Sequence, residues 1–323
     1  MPTPEVLKTA ANAVQARTRI RDHISQTPLI QAKTQNKSTA ATVLFKCENF
    51  QLTGSFKLRG ATSKISGYMG GGDLITASSG NHGIGAAHAA HALGKKLTVV
   101  LPETVVPAKL AKIKSYGVDV ILHGSETGLA EQHAQKLAAS GAYTYISPYN
   151  DPDIIAGQGT IGLEILEQSQ GKIDNVFIAM GGGGLISGIG SVLKSFSPQI
   201  KIFGISASNS KALAASMAAG RVVDVEHRET LAEAVAGGID EDSITLGLAM
   251  EVVDRIVECD EEEIRKALRE LALTEGMVVE GAAALAYAGL LKVMAAGGVE
   301  GETSVVVLCG GNFDREVIRG VLL

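Results

Sequence analysis

The sequence predicts an α/β protein with two parallel-sheet domains, and three observations support this fold class. Short apolar runs alternate with helical patterns along most of the chain, which is typical of parallel sheets covered by helices. Alanine, glycine, valine and isoleucine are abundant, whereas only 4% of the residues are aromatic and none is tryptophan. This composition favours helices packed closely on a parallel sheet. Because 323 residues exceed one small domain, two domains or one large α/β unit are expected.

The N-terminal elements lead towards a single lysine, Lys57. Thr3-Pro4-Glu5 predicts a helix start, since it combines a capping hydroxyl, a first-turn proline and an early acid. Thr27-Pro28-Leu29 interrupts the amphipathic pattern that follows. The β-branched and aromatic run at 42–47 predicts a strand that precedes Lys57, and a helix is expected directly after this lysine.

A first series of alternating elements predicts a smaller domain over residues 66–148. The expected strands are 74–77, 97–101, 118–122 and 143–146, and the expected helices are 84–93, 107–116 and 128–140. Residues 1–65 and 149–323 are assigned to a larger domain, with a crossing near the glycine triplet 70–72.

A second series of elements follows in the larger domain. The expected strands are 176–180, 201–205, 256–259 and 303–308, and the expected helices are 155–168, 185–196, 210–219, one that Asp260 caps, and 282–295. Because the chain ends soon after the last strand, we expect no appended regulatory domain.

Composition excludes several classes of partner. The net charge of −5 gives no electrostatic footprint for nucleic acid. The three cysteines are widely spaced and form neither a disulfide framework nor a zinc pattern, which favours a reducing cytoplasm. The N-terminus lacks a signal sequence, and no apolar run approaches the ~18 residues of a membrane span. We expect a cytoplasmic protein with a small-molecule substrate.

Four consecutive glycines, Gly181–Gly184, stand between an apolar strand and a helix. Bare backbone N–H groups at the positive end of a helix dipole are a site for phosphate or another anion. No Gly-Lys-Ser/Thr follows, so the loop is not a Walker A motif. The next strand ends in Ile205-Ser206-Ala207, without an acid for a ribose. The sequence therefore favours a small monophosphate cofactor over a nucleotide.

The turn Ser78-Ser79-Gly80-Asn81-His82-Gly83 also joins a strand to a helix. Its hydroxyl, amide, imidazole and backbone N–H groups form a candidate receptor for a carboxylate at a helix N-terminus. Simple helix capping would need only one of these residues. His82 taken alone is more often a structural histidine than a catalytic one.

Lys57 stands between Phe56 and Leu58. A lysine with apolar neighbours is usually an ordinary solvated residue. If it is drawn into a cleft, desolvation lowers its pKa and makes the amine a nucleophile towards carbonyl carbon. Such an amine can form a Schiff base with an aldehyde cofactor.

The segment Ser55-Phe56-Lys57-Leu58-Arg59-Gly60 resembles the cofactor-attachment motif of the serine/threonine dehydratase (ammonia-lyase) and serine racemase family. These are fold type II pyridoxal phosphate enzymes, like the tryptophan synthase β-subunit. Cysteine synthases usually have Ser-Val-Lys-Asp-Arg there, so the residues of this segment favour the dehydratases. Residues 151–160 and 279–283 also resemble family segments, and the likeness covers nearly the whole chain.

The resemblance implies pyridoxal phosphate in the cleft between two αβα domains, attached to Lys57. The residues then expected to bind the cofactor are Phe56, Lys57, Asn81, Gly181, Gly182, Gly183, Gly184, Leu185, Gly238, Glu280 and Cys309. Cys309 would face the pyridine nitrogen. The substrate carboxylate would be bound by Ser78, Ser79, Asn81 and His82. Lys57 would act as the general base, with Ser79 on the opposite face of the ring as a second catalytic residue.

The reaction implied is elimination of water from a β-hydroxy amino acid such as L-threonine or L-serine, giving a 2-oxo acid and ammonia. Three alternatives stay open: a serine or aspartate racemase, because racemases of the family have a serine at the position of Ser79; a dehydratase of hydroxyectoine catabolism; and a non-catalytic protein that binds the cofactor. A homodimer is expected.

Two features depart from the family pattern. Racemases and some dehydratases of the family carry a Glu and an Asp after the strand 201–205 as ligands of a divalent cation. Ser206 and Ala212 stand there in this chain, which argues against a cation site. Ala236-Gly237-Gly238 replaces the frequent Ala-Asp-Gly, and no consequence follows from the sequence.

Overall fold

The computed structural model describes residues 1–33, 42–169, 173–299 and 301–322. Its strands are β1 Leu29–Gln31, β2 Thr42–Cys47, β3 Asp73–Ala77, β4 Leu97–Leu101, β5 Asp119–Leu122, β6 Tyr143–Tyr145, β7 Asn175–Ala179, β8 Lys201–Ala207, β9 Arg255–Cys259 and β10 Thr303–Leu308. They form a six-stranded sheet in the order β1-β2-β10-β7-β8-β9 and a four-stranded sheet in the order β5-β4-β3-β6. Only the pairing of β1 with β2 is antiparallel among the described strands.

The α-helices of the described chain alternate with these strands. They are α1 Pro4–Ile20, α2 Lys57–Gly67, α3 Asn81–Ala92, α4 Pro107–Lys114, α5 Thr127–Ala139, α6 Pro152–Gln168, α7 Gly184–Phe196, α8 Ala212–Ala219, α9 Ile244–Val252, α10 Glu261–Glu270, α11 Gly281–Ala295 and α12 Arg315–Leu322. A π-helical turn, Leu271–Glu275, follows α10.

Local signals place most of the helix starts correctly. The Thr3 hydroxyl accepts the Val6 N–H at the start of α1. Asp260 forms a capping box with Glu263 at the start of α10. The sequence missed β1, α9 and α12. Strand β1 has three residues, and its place in the sheet depends on its pairing with β2, which leaves no local periodicity to find.

Glycines bring the helices of the larger sheet close together. A Cβ on Gly188 of α7 would lie 2.7 Å from the backbone nitrogen of Gly159 in α6. A Cβ on Gly162 would lie 3.1 Å from the carbonyl oxygen of Ile189. These near-contacts explain the glycine-rich, aromatic-poor composition, since any larger residue would separate the two helices.

The predicted parallel α/β fold is confirmed by these sheets. The four-stranded sheet lies within 73–145, inside the predicted smaller domain, although the boundaries at 65/66 and 148/149 stay predictions. Ligands of parallel α/β folds bind at the carboxyl ends of the strands. Those ends lead here to the Lys57 segment, the turn at Ser78 and the glycine loop. Within the described chain, no helix is both long and apolar enough to span a membrane.

Candidate active site

The segment before Lys57 is fixed by the end of β10. The Phe56 N–H donates to the Cys309 carbonyl at 3.0 Å, and Ser55 forms an isolated bridge with Gly310. Gly54 has a φ of +78°, and a Cβ there would lie 2.7 Å from Oδ1 of Asn312. Glycine is therefore required at position 54 by both conformation and space. These contacts place Lys57 at the first residue of α2.

The Lys57 amine lies in the wall of a cleft. Its Nζ donates to the carbonyl oxygen of Pro148 at 2.7 Å and lies 5.3 Å from the centroid of the Phe56 ring. Burial lowers the pKa of Lys57 to about 8, and the Cys309 and Glu280 side chains oppose that shift only in part. Near neutral pH, the uncharged fraction of this amine is therefore far larger than that of a solvated lysine.

The glycine loop forms the opposite part of the cleft. Gly183 has a φ of +88° and directly precedes α7. The first bond of the helix runs from the Ser187 N–H to the Gly183 carbonyl at 2.9 Å, so the N–H groups before Ser187 have no partner inside the helix. The Thr245 hydroxyl donates to the Gly182 carbonyl at 2.6 Å. The loop thus presents bare amides at a helix N-terminus, the arrangement that binds a phosphate.

One cleft is shared by the Lys57 segment and the glycine loop. It is lined by Phe56, Lys57, Asn81, Pro148, Tyr149, Gln158, Ala179, Gly181, Gly182, Gly183, Gly184, Leu185, Ala234, Val235, Ala282 and Cys309. Nine of the residues predicted to bind the cofactor are in this lining. Gly238 and Glu280 are outside it, and the predicted contacts of all eleven residues with the cofactor stay predictions.

Glu280 links the two sheets through Asn81. Asn81 Nδ2 lies 3.0 and 2.9 Å from the two carboxylate oxygens of Glu280, and Asn312 Nδ2 donates to Asn81 Oδ1 at 2.8 Å. Burial raises the pKa of Glu280 to about 7, against the hydrogen bonds from Asn81 that lower it. The carboxyl group thus sets the orientation of the Asn81 amide at the edge of the cleft.

Cys309 follows β10 and is buried. Burial raises the pKa of its thiol well above the ordinary value. The Sγ lies 3.8 Å from Oε1 of Glu280. Cys309 therefore presents an uncharged thiol to the cleft.

The turn at 78–83 follows β3 and precedes α3, as predicted. The Ser78 hydroxyl accepts the Gly80 N–H at 3.2 Å, and Ser79 is half-buried. His82 Nε2 lies 3.1 Å from the Ile146 carbonyl oxygen, which requires its proton on Nε2. The predicted contacts of Ser78, Ser79 and His82 with a carboxylate stay predictions.

The side chain of His82 is held in a neutral form. Burial, followed by the nearby Lys57, lowers the pKa of His82 to about 3. Its Nδ1 is buried and has no hydrogen-bond partner within the described part of the chain. In this tautomer Nδ1 is a hydrogen-bond acceptor, which does not bind a carboxylate. The backbone N–H groups at the start of α3 are donors and therefore suit a carboxylate better than His82 does.

Sequence reasoning missed the residues that shape the glycine loop. A Cβ on Gly182 would lie 2.5 Å from the Tyr149 ring, and one on Gly181 would lie 2.9 Å from the Cα of Val235. Tyr149 also accepts the Asp240 N–H at 2.7 Å. No local pattern marks these residues, because they meet the glycines only through the fold.

The geometry fits pyridoxal phosphate in two respects. The partly neutral amine of Lys57 suits an aldehyde, and the amides of Gly181–Gly184 suit a monophosphate. The family described as pyridoxal-phosphate dependent enzyme matches residues 20–310. The chain belongs to this family.

Relatives of the protein agree with this membership. The catabolic L-threonine dehydratase TdcB of Staphylococcus aureus is 38% identical over 95% of this chain and 90% of its own. The processed threonine deaminase isoform 2 of Solanum lycopersicum has a TM-score of 0.93 at 29% identity, over 99% of this chain and 93% of that one. Maize serine racemase has a TM-score of 0.87 at 27% identity, over 96% and 95%.

These comparisons confirm the predicted family, the fold type II architecture and pyridoxal phosphate as the cofactor. The predicted class of enzyme, a pyridoxal phosphate-dependent lyase, agrees with the dehydratase relatives.

Proposed function

We propose that the protein is a dehydratase that eliminates water from a β-hydroxy amino acid, with L-threonine or L-serine as its substrate. The observation that carries the proposal is the placement of the low-pKa Lys57 amine in the same cleft as the glycine loop and an uncharged Cys309 thiol. The names of the relatives support threonine as the first substrate to test.

Lys57 supplies the general base. When bound, pyridoxal phosphate supplies an electron sink for the α carbon of an amino acid. The Lys57 amine, with its pKa lowered to about 8, takes the α-proton. Loss of the β-hydroxyl as water leaves an enamine, and a second water converts this to the 2-oxo acid and ammonia. The net reaction consumes only the amino acid.

Cys309 favours elimination over return of a proton to the α carbon. Cys309 is among the residues that would hold the cofactor. If its uncharged thiol lies beside the pyridine nitrogen, that nitrogen would stay unprotonated and the electron sink would be weaker, which would favour loss of the β-hydroxyl. The raised pKa of the Cys309 thiol supports this role at neutral pH.

Recognition of the substrate is assigned to the turn at 78–83. The N-terminus of α3 offers backbone N–H groups to the carboxylate, and Ser78 and Asn81 add a hydroxyl and an amide. Glu280 and Asn312 hold Asn81 in place. Closing the four-stranded sheet over the cleft would exclude water from the reacting atoms.

A panel of amino acids tests the proposal. Purified holoenzyme is incubated with L-threonine, L-serine, D-serine, L-aspartate and L-alanine, and 2-oxo acid and ammonia are measured. We expect equimolar 2-oxo acid and ammonia from L-threonine or L-serine, and none from L-alanine, which lacks a leaving group. Cofactor binding without turnover of any β-hydroxy amino acid would refute the proposal.

Ser79 gives a second candidate, a racemase. Ser79 is half-buried beside the cleft, and one structural relative is a serine racemase. Chiral chromatography of the remaining amino acid, run beside the 2-oxo acid assay, separates the two activities. Replacing Ser79 with alanine should remove racemisation and retain most of the elimination if the dehydratase reaction is the main one.

The same proposal includes three further expectations. We expect a cytoplasmic homodimer with the domain boundaries given above. Sedimentation of the purified protein tests the dimer, and fractionation of producing cells tests the compartment. Limited proteolysis near the glycine triplet 70–72 tests the domain boundary.

A further inference from the structure

The loop after β8 does not fit a divalent cation. Ser206 and Ala212 stand where family members with a cation have their carboxylates, and they offer one hydroxyl and a methyl group. Between them Lys211 carries an ammonium group, 2.7 Å from Oε2 of Glu258. The register pairs Glu258 of β9 with Ser206 of β8. This carboxylate is thus already neutralised by a cation of the chain itself, and an ammonium group repels a metal ion.

Hydrogen bonds hold this loop together. The Ser210 Oγ lies 2.8 Å from Nδ1 of His227 and accepts the Gly237 N–H at 3.1 Å. Because Ser210 accepts from Gly237, its own proton is free to be donated to Nδ1 of His227. Ser210 is only 2% exposed, whereas its two partners His227 and Gly237 are exposed. One buried hydroxyl therefore joins three segments of the larger sheet.

Neighbouring backbone contacts strengthen the same junction. The Arg228 N–H donates to the Asn209 carbonyl at 2.9 Å, and Asn209 Nδ2 donates to the Glu229 carbonyl at 2.7 Å. The loop after β8 and the segment 227–229 are thus joined by two further hydrogen bonds on one side of the bond between Ser210 and His227.

The third segment leads to the cofactor cleft. Gly237 lies two residues after Val235, which lines the cleft. A Cβ on Gly181 would lie 2.9 Å from the Cα of Val235, so Val235 packs directly on the glycine loop. The hydrogen bond that holds Gly237 therefore also helps to hold Val235, on which Gly181 of the glycine loop packs.

We propose that Ser210, His227 and Lys211 form a cation-independent brace that holds residues 235–237 against the glycine loop. Lys211 neutralises Glu258, and Ser210 bonds His227 and Gly237. These residues are positioning residues, and pyridoxal phosphate affinity depends on them while divalent cations have no site here.

The first test uses the unmodified holoenzyme. The protein is dialysed against EDTA and then titrated separately with MgCl₂, CaCl₂ and MnCl₂, with binding heat and melting temperature as readouts. We expect no saturable heat and no change in melting temperature with any of the three. Saturable binding, or a melting temperature that falls in EDTA and recovers with a cation, would overturn the proposal.

The second test measures pyridoxal phosphate affinity of the apoenzyme by titration of cofactor absorbance. Replacing Ser210 with alanine removes both of these hydrogen bonds, and we expect about three- to tenfold weaker affinity. Ser169→Ala is the matched control: its hydroxyl donates to the Leu166 carbonyl at 3.1 Å, away from the residues that line the cleft, and affinity should not change.

Variants of His227 test the same hydrogen bond without changing the buried Ser210, so the result does not depend on whether Ser210→Ala folds. His227 is exposed, so His227→Leu should fold, and it removes the acceptor for Ser210. We expect weaker affinity in His227→Leu and recovery in His227→Asn, whose side-chain oxygen can accept the same bond. Unchanged affinity in His227→Leu and in a folded Ser210→Ala would refute the brace.

Discussion

Arg59 and Lys57 are cations on the first turn of the same helix, Arg59 fully buried and Lys57 half-buried, yet their surroundings differ completely. Arg59 donates to both oxygens of Glu48, at 2.8 and 2.9 Å, and to both oxygens of Glu164, at 2.6 and 2.8 Å. Lys57 donates to a neutral carbonyl, that of Pro148. The paired cation keeps its charge, and the cation with a neutral partner tends to lose it.

The pKa values of the two groups follow this difference. Burial alone would lower the pKa of Arg59, but Glu48 and Glu164 more than offset it, so its pKa is raised. For Lys57 the burial effect wins, and its pKa falls to about 8. For Arg59 and Lys57, the carboxylates that the fold supplies to one and not to the other decide whether the pKa is raised or lowered.

The Arg59 cluster also joins distant parts of the chain. Glu48 follows β2 and Glu164 lies on α6, where it pairs with the buried Lys46 as well. Two cations and two anions are thus buried together. The cluster fixes the start of α2, and with it the position of Lys57, relative to the larger sheet.

Replacing Lys57 with alanine is expected to have the largest effect. Turnover should fall at least about a thousandfold, because the base proposed to take the α-proton is lost. The unfolding free energy should fall little or rise, since a poorly paired buried amine is removed. Steady-state kinetics and urea unfolding measure the two quantities. Retained turnover in Lys57→Ala would contradict the assignment of Lys57.

Replacing Arg59 with methionine should have the opposite pattern. Glu48 and Glu164 would remain buried without their partner, and we expect a loss of about 3–5 kcal/mol in unfolding free energy. Arg17→Met is the control, since Arg17 pairs with Glu167 at the surface and should cost less than about 1 kcal/mol. Equal losses of unfolding free energy in the two variants would show that the buried ion pairs contribute no more to stability than a surface ion pair does.

Glu280 extends the comparison to a buried acid. Its folded-state pKa of about 7 lies above the ordinary 4.5, so the folded state binds the proton more tightly than the unfolded state does. The apoenzyme should therefore lose about 2–3 kcal/mol as pH rises from about 4.5 to 7. Urea unfolding at pH 5 and pH 8 measures this loss.

Glu280→Gln provides the control for that measurement. The variant has no titrating group at this position, so its loss between pH 5 and pH 8 should be smaller by the same amount. An identical pH dependence in the two proteins would show that Glu280 keeps an ordinary pKa.

The pH dependence of cofactor attachment sharpens the comparison further. Only the uncharged Lys57 amine reacts with an aldehyde, so the attachment rate should rise about tenfold per pH unit below 8 and level off above it. Stopped-flow absorbance of apoenzyme with pyridoxal phosphate measures the rate, with Nα-acetyl-lysine as the solvated reference. A rate that keeps rising to pH 10, as the reference does, would mean that burial does not lower this pKa.

Much of this arrangement is visible in the sequence. The segment at 55–60 predicted the attachment lysine, and Gly181–Gly184 between a strand and a helix predicted the phosphate loop. Both depend on neighbours in the chain, and the fold and cofactor that they implied are confirmed. The sequence also placed Cys309 just past a buried strand, and this residue does line the cleft.

Other parts could not be predicted from local patterns. Tyr149 and Val235 pack against the glycines of the loop. Ser210 forms hydrogen bonds with His227 and Gly237. All of these residues are distant in the chain and meet only in the folded protein. Helix α9 escaped notice because it is short and lacks a marked polar face. Its Thr245 then binds the glycine loop, a contact between residues 63 positions apart.

The sequence by itself predicted most of the strands and helices in their order, the glycine loop as an anion site and Lys57 as the candidate reactive amine, because periodicity and glycine placement are local properties. Only the tertiary structure decided that Lys57 is left beside a neutral carbonyl while Arg59, two residues later, receives two carboxylates. The partner Glu164 lies 105 residues from Arg59 in the chain. Charge pairing over such a distance is set by packing, and packing decides which buried cation can react.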